Sequence, residues 1–68
     1  MWELQVHDDG DVEIRKVPQS YDNHGTNLVF KDSDSLIAEL KSYGKDDDAA
    51  IEEAMQWAEE NEYQWEAV

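Results

Sequence analysis

Carboxylates are the side chains that could do chemistry in this chain, which carries 18 Asp and Glu residues in 68 positions and no cysteine. Several occur in runs that resemble cation-binding loops: Asp8-Asp9-Gly10-Asp11, Asp32-Ser33-Asp34 and Asp46-Asp47-Asp48. The first run lacks the alternating acids and the distal Glu of a calcium loop. A hairpin turn explains that run better, and helix capping explains the other two. The sequence therefore predicts no metal site and no cofactor.

Catalytic groups other than carboxylates are scarce. His7 and His24 are the only imidazoles, and no third nitrogen or sulfur ligand accompanies them to hold zinc. Paired carboxylates can act as general acid and base, but only in a cleft that shifts their pKa values. A chain of 68 residues rarely builds such a cleft, and it contains no glycine-rich phosphate loop. We therefore predict that the protein is not an enzyme.

The most regularly spaced acids lie in the second half of the chain. Glu52 and Glu59 are two helical turns apart, so they lie about 10.5 Å apart on one helix face. Glu53 and Glu60 repeat this spacing, and no Lys follows any of them at i+4. Together with Asp46 to Asp48, these four glutamates form a column of carboxylates whose spacing is in the range of phosphates along a nucleic-acid backbone. The predicted partner-binding acids, with the hairpin tip included, are Asp46, Asp47, Asp48, Glu52, Glu53, Glu59, Glu60, Glu62, Asp8, Asp9 and Asp11.

A β-hairpin over residues 2–17 positions the first acids, because apolar and polar residues alternate on both sides of an Asp-Asp-Gly turn. A three-residue loop that ends at Gly10 matches the apolar faces of the two strands. Glycine adopts the left-handed conformation that the last position of such a loop requires. The same register predicts Glu3 opposite Arg15 on the solvent face of the sheet.

Capping residues and periodicity predict the rest of the chain. The predicted elements are a loop over 19–26, a strand over 27–31, helices over 34–43 and 47–61, and a strand over 62–67. A second helix that continues through residue 66 is the alternative to the last strand. We predict one α+β domain over residues 1–68, an antiparallel three- or four-stranded sheet covered on one face by two helices.

Aromatic residues accompany the acidic segment. Trp57, Tyr63 and Trp65 are expected to pack in the core or against the sheet. If Tyr63 or Trp65 is exposed, it becomes a natural aromatic anchor for an interface. Tyr21 and His24, in the predicted loop, are weaker candidates for the same role.

The net charge of −13, with a pI near 4.1, excludes several classes of function. Phosphate repels such a surface, so direct binding to nucleic acid or to an anionic membrane is not expected. High charge with a mean hydropathy of −0.89 is also typical of disorder, but three Trp and three Tyr in patterned positions favour a folded chain. With no long apolar stretch and no basic leader, we expect a soluble cytoplasmic monomer.

The excess charge indicates a basic partner, because solubility alone needs a net charge of only about 2–8 in a small domain. In its small size, acidity, lack of cysteine and α+β pattern the chain resembles phage-encoded DNA mimics and, more narrowly, anti-CRISPR proteins. The resemblance implies an inhibitor in the host cytoplasm that blocks the DNA- or PAM-recognition surface of a CRISPR effector, such as a type I surveillance complex. Two alternatives stay open: an immunity or antitoxin-type module that neutralises a basic toxin, and a salt-adapted acidic domain without such an interface.

Overall fold

The computed structural model describes residues 1–68 as a four-stranded antiparallel sheet with two helices. The elements in chain order are β1 (Trp2–Val6), β2 (Val12–Lys16), β3 (Leu28–Phe30), α1 (Ser33–Ser42), α2 (Asp48–Glu60) and β4 (Glu66–Ala67). The strands lie in the order β3-β1-β2-β4, so the hairpin forms the centre of the sheet. The predicted α+β fold class is confirmed.

The β1–β2 hairpin has the predicted register, with Glu3 opposite Arg15 and Val6 opposite Val12. Gly10 has a φ of +94°, the left-handed conformation that the loop requires. Its N–H donates to the carbonyl oxygen of His7 at 3.0 Å, which closes the turn. The matching of apolar faces and the conformation of Gly10 thus determine the register of the central hairpin.

The core lies between the two helices and one face of the sheet. Its nine buried residues alternate along the two central strands and follow helical spacing in α1 and α2: Trp2, Leu4, Val12, Ile14, Leu36, Leu40, Ile51, Ala54 and Ala58. Both helices therefore cover the same face of the sheet. Neither is long and apolar enough to cross a membrane.

Aspartates begin both helices, as their positions in the sequence predict. The Asp32 carboxylate accepts a hydrogen bond from the Ser35 backbone N–H at 2.7 Å, and hydrogen bonding from Ser35 lowers the pKa of Asp32. Asp47 accepts from the N–H groups two and three residues later, at 3.1 and 3.3 Å. Gly44, with a φ of +83°, follows α1 in the conformation typical of a helix end.

The strand predicted over residues 62–67 is wrong for its first four residues. They form a turn and an irregular segment, and only Glu66–Ala67 pairs with β2. Tyr63 has a φ of +70°, and its N–H donates to the carbonyl oxygen of Lys16 at 3.0 Å. The alternation resembled a strand, but the chain has to reverse after α2 to reach β2. The alternative of a longer helix is also wrong, because α2 ends at Glu60.

The prediction that Glu3 faces solvent is wrong, since its side chain is 1% exposed. Residues 18–27 and the segment before β4 cover part of the sheet face opposite the helices. Arg15 Nε donates to Glu3 at 2.5 Å, the Tyr21 hydroxyl donates at 3.2 Å, and the Asn27 amide donates at 3.3 Å. We call these four residues, together with Trp65, the open-face cluster.

Arg15 is held at the centre of the open-face cluster by two aromatic rings. Its guanidinium carbon lies 5.4 Å from the ring centroid of Tyr21 and 4.5 Å from that of Trp65. Burial lowers the pKa of Arg15, but hydrogen bonds and charge attraction, chiefly from Glu3, outweigh burial and raise it. The guanidinium therefore stays charged and balances the buried carboxylate.

Candidate acidic interface

The predicted partner-binding acids of the second half of the chain are all exposed, and they lie on α2 or directly beside its ends. We call these eight residues the acidic column: Asp46, Asp47, Asp48, Glu52, Glu53, Glu59, Glu60 and Glu62. The first two precede α2, the last lies in the turn after it, and the other five belong to the helix. None of them takes part in the core.

The buried residues of α2 determine where its acids point. Ile51, Ala54 and Ala58 face the sheet, and at 100° per residue Glu53 and Glu60 are rotated by about 135° and 155° from the centre of this apolar stripe. These two glutamates therefore point outward, and we call them the outer row. Asp48, Glu52 and Glu59 lie on the flank of α2 that faces α1 and form the inner row. The column therefore has two parallel rows with different surroundings.

Two lysines from other elements pair with the ends of the inner row. Lys41 of α1 lies 3.0 Å from Asp48, and Lys16 of β2 lies 3.6 Å from Glu59. These contacts were missed because the i+4 rule considers only neighbours within one helix. Both carboxylates are well exposed, at 81% and 60%, so each pair contributes about 0–1 kcal/mol. Glu52 and both outer-row residues make no ion pair.

A groove of 570 Å³ lies between α1 and α2. We call it the interhelical groove; its lining residues are Trp2, Ser33, Ile37, Asp48, Ile51, Glu52, Met55, Gln56 and Glu59. Four of these are hydrophobic, and the whole inner row lies along one side. Ile37 and Met55 pack against the core, but both are only partly buried. Periodicity could not reveal the groove, which depends on the distance between the two helices.

The predicted acids of the hairpin tip, Asp8, Asp9 and Asp11, are exposed but do not line the interhelical groove. Asp9 accepts a hydrogen bond from the Asp11 N–H at 3.0 Å, so it stabilises the turn. Beside the tip, His7 Nε2 lies 2.6 Å from Glu13 Oε1. The tip is thus a second acidic site, at the β1–β2 turn.

The aromatic candidates separate into buried and exposed positions. Trp57 packs against the core, and Trp65 is half-buried over Arg15. Tyr21 is half-buried in the open-face cluster, whereas His24 is exposed and lies 3.1 Å from Asp22. Tyr63 is 52% exposed and directly follows the last acid of the column, so the expectation that it packs inside is wrong.

No group of three His, Asp or Glu side chains is placed to hold a metal ion. No family model matches the chain, and comparisons with curated proteins and with solved structures found no match.

Proposed function

We propose that the protein is a small acidic inhibitor that occupies the basic nucleic-acid-binding surface of a partner protein. The observation that carries this proposal is the acidic column: eight exposed carboxylates along and beside α2, of which only Asp48 and Glu59 are paired with a lysine. Following the resemblance to anti-CRISPR proteins, the specific partner we propose is a CRISPR effector complex whose DNA binding is blocked.

The charge density of α2 supports mimicry of a phosphate strand. Five acids lie on the 13 residues of the helix. At 1.5 Å per residue this gives one charge per about 4 Å of helix axis, against one phosphate per about 3.4 Å along one strand of DNA. A Lys/Arg-lined channel that attracts phosphates would attract this helix by the same field.

Repulsion among the unpaired acids also favours the binding of a cationic partner. Carboxylates on adjacent turns repel one another, and no base lies between Asp46 and Glu66 to relieve them. A cationic partner surface relieves this repulsion on binding and speeds association by long-range attraction. Tight binding would then come from a few pairs that are shielded from water and from an exposed anchor such as Tyr63.

The test is capture of partners by the protein from a bacterial lysate that contains an active CRISPR system. The proposal expects a nucleic-acid-binding complex that elutes with salt and is also displaced by short double-stranded DNA at constant ionic strength. Capture of a basic toxin that DNA does not displace would contradict the proposal in favour of an immunity function. Absence of any salt-sensitive partner would contradict it in favour of a salt-adapted domain.

A further inference from the structure

The interhelical groove combines apolar surface with one-sided charge. Ile37 of α1 and Met55 of α2 are only partly buried, although both touch the core. Asp48, Glu52 and Glu59 border the same groove, and no cationic residue is among those that line it. The groove therefore offers an apolar contact next to three carboxylates, a combination that the outer row lacks.

The protein already places its own cations at the two ends of this groove. Lys41 pairs with Asp48 at one end. Lys16 pairs with Glu59 at the other end, and its ammonium lies 4.3 Å from the ring centroid of Trp2 on the groove floor. Glu52 lies between these ends and is left without an ion pair. The carboxylates that line the groove thus attract cations, and no lysine of the chain pairs with Glu52 at its centre.

The dimensions of the groove favour a helical occupant. Asp48 and Glu59 are eleven residues apart in sequence, which corresponds to about 16 Å along α2, or three helical turns. A groove between two helices, with apolar and charged positions repeating along its length, fits an amphipathic helix that inserts its apolar side. Nucleic acid and anionic lipid are poor occupants because the bordering carboxylates repel phosphate.

We propose that the interhelical groove binds a basic amphipathic helix of the partner protein. An apolar side chain of that helix packs on Ile37 and Met55, and a Lys or Arg one turn away pairs with Glu52. A further cation replaces Lys41, because its exposed ion pair with Asp48 costs little to exchange. This inference rests on the proposed function and names the element of the basic partner that the protein recognises.

The probe is a synthetic amphipathic peptide of Leu and Lys, about 14 residues or four helical turns long. Binding to the isotope-labelled protein is followed by NMR near physiological ionic strength. Two controls have the same length: a peptide with every Lys replaced by Glu, and a scrambled Leu/Lys peptide without an apolar face. We expect shifts centred on Ile37 and Met55 with the amphipathic peptide, weaker binding of the scrambled one and none of the acidic one.

Neighbouring glutamates provide matched variants, because Glu52→Gln and Glu53→Gln make the same chemical change on the two rows. Both residues are exposed and belong to the same helix, but only Glu52 lines the groove. We expect E52Q to weaken peptide binding about fivefold, as the loss of one ion pair implies, and E53Q to weaken it less than twofold.

Equal losses in E52Q and E53Q, equal binding of the scrambled peptide, or no binding of the amphipathic peptide would overturn the groove proposal. Such results leave the acidic column as a whole untouched, so the proposed function would survive them. Conversely, groove-specific peptide binding together with a captured partner that DNA does not displace would overturn the proposed function and leave the groove proposal standing.

Discussion

Burial of the Glu3 carboxylate is electrostatically costly, because the side chain is almost fully shielded from water in a chain of net charge −13. It is stable there because Arg15, Tyr21 and Asn27 all donate hydrogen bonds to it. The only arginine of the chain is therefore used inside the fold. Only lysines are left to balance the exposed acids, which increases the negative charge of the surface.

Replacement of Arg15 by methionine tests this arrangement. Arg15→Met leaves the Glu3 carboxylate buried without its cation, so we expect a loss of about 3 kcal/mol in the free energy of unfolding. That loss is a large share of the roughly 3–10 kcal/mol typical of a chain of this length. Urea denaturation followed by tryptophan fluorescence measures it.

The double variant Glu3→Gln/Arg15→Met is the control for that experiment. It removes the buried charge together with its partner, so we expect it to recover at least half of the lost stability. If Arg15→Met unfolds at the same urea concentration as the unmodified protein, or if the double variant recovers nothing, the ion pair does not sustain the burial of Glu3.

Helix α2 is the element that carries the acidic column, and Asp47 is the residue that caps its N-terminus. Asp47→Ala removes the side-chain acceptor for two backbone N–H groups and should lower stability by about 1 kcal/mol. Asp46→Ala removes the same charge one residue earlier, where the side chain makes no hydrogen bond. We expect thermal unfolding to separate the two variants, with Asp46→Ala at or slightly above the unmodified protein. Equal Tm values would mean that charge, and not capping, determines the effect.

The elements that could be predicted from the sequence are those whose structure is determined by residues close to one another along the chain. The hairpin register follows from face matching and Gly10, and the two helix starts follow from aspartates before periodic apolar residues. Of the open-face cluster, only the pairing of Glu3 with Arg15 could be predicted. The burial of Glu3 could not, because Asn27 reaches it across 24 positions of the sequence. The interhelical groove could not be predicted either, since it depends on how far apart the sheet holds the two helices.

At the scale of the whole molecule, self-repulsion among the exposed acids should make stability depend on salt. Raising NaCl from about 0.01 M to about 1 M shortens the Debye length from about 30 Å to about 3 Å. We expect the urea midpoint to rise over this range, and to rise less in Glu53→Gln/Glu60→Gln, which lacks the outer row. A midpoint that falls with salt would show that ion pairs such as Lys41–Asp48 outweigh the repulsion.

The central claim is that binding depends on where the negative charges lie and not only on how many there are. The affinity for the captured partner tests this claim most directly. Glu53→Gln/Glu60→Gln removes two charges from the outer row of the acidic column. Asp22→Asn/Asp34→Asn removes two charges from exposed positions elsewhere. At physiological ionic strength we predict that the outer-row variant binds about tenfold more weakly, as partial loss of two interface ion pairs implies, and that the other stays within about twofold. Equal affinities for the two variants would contradict the claim.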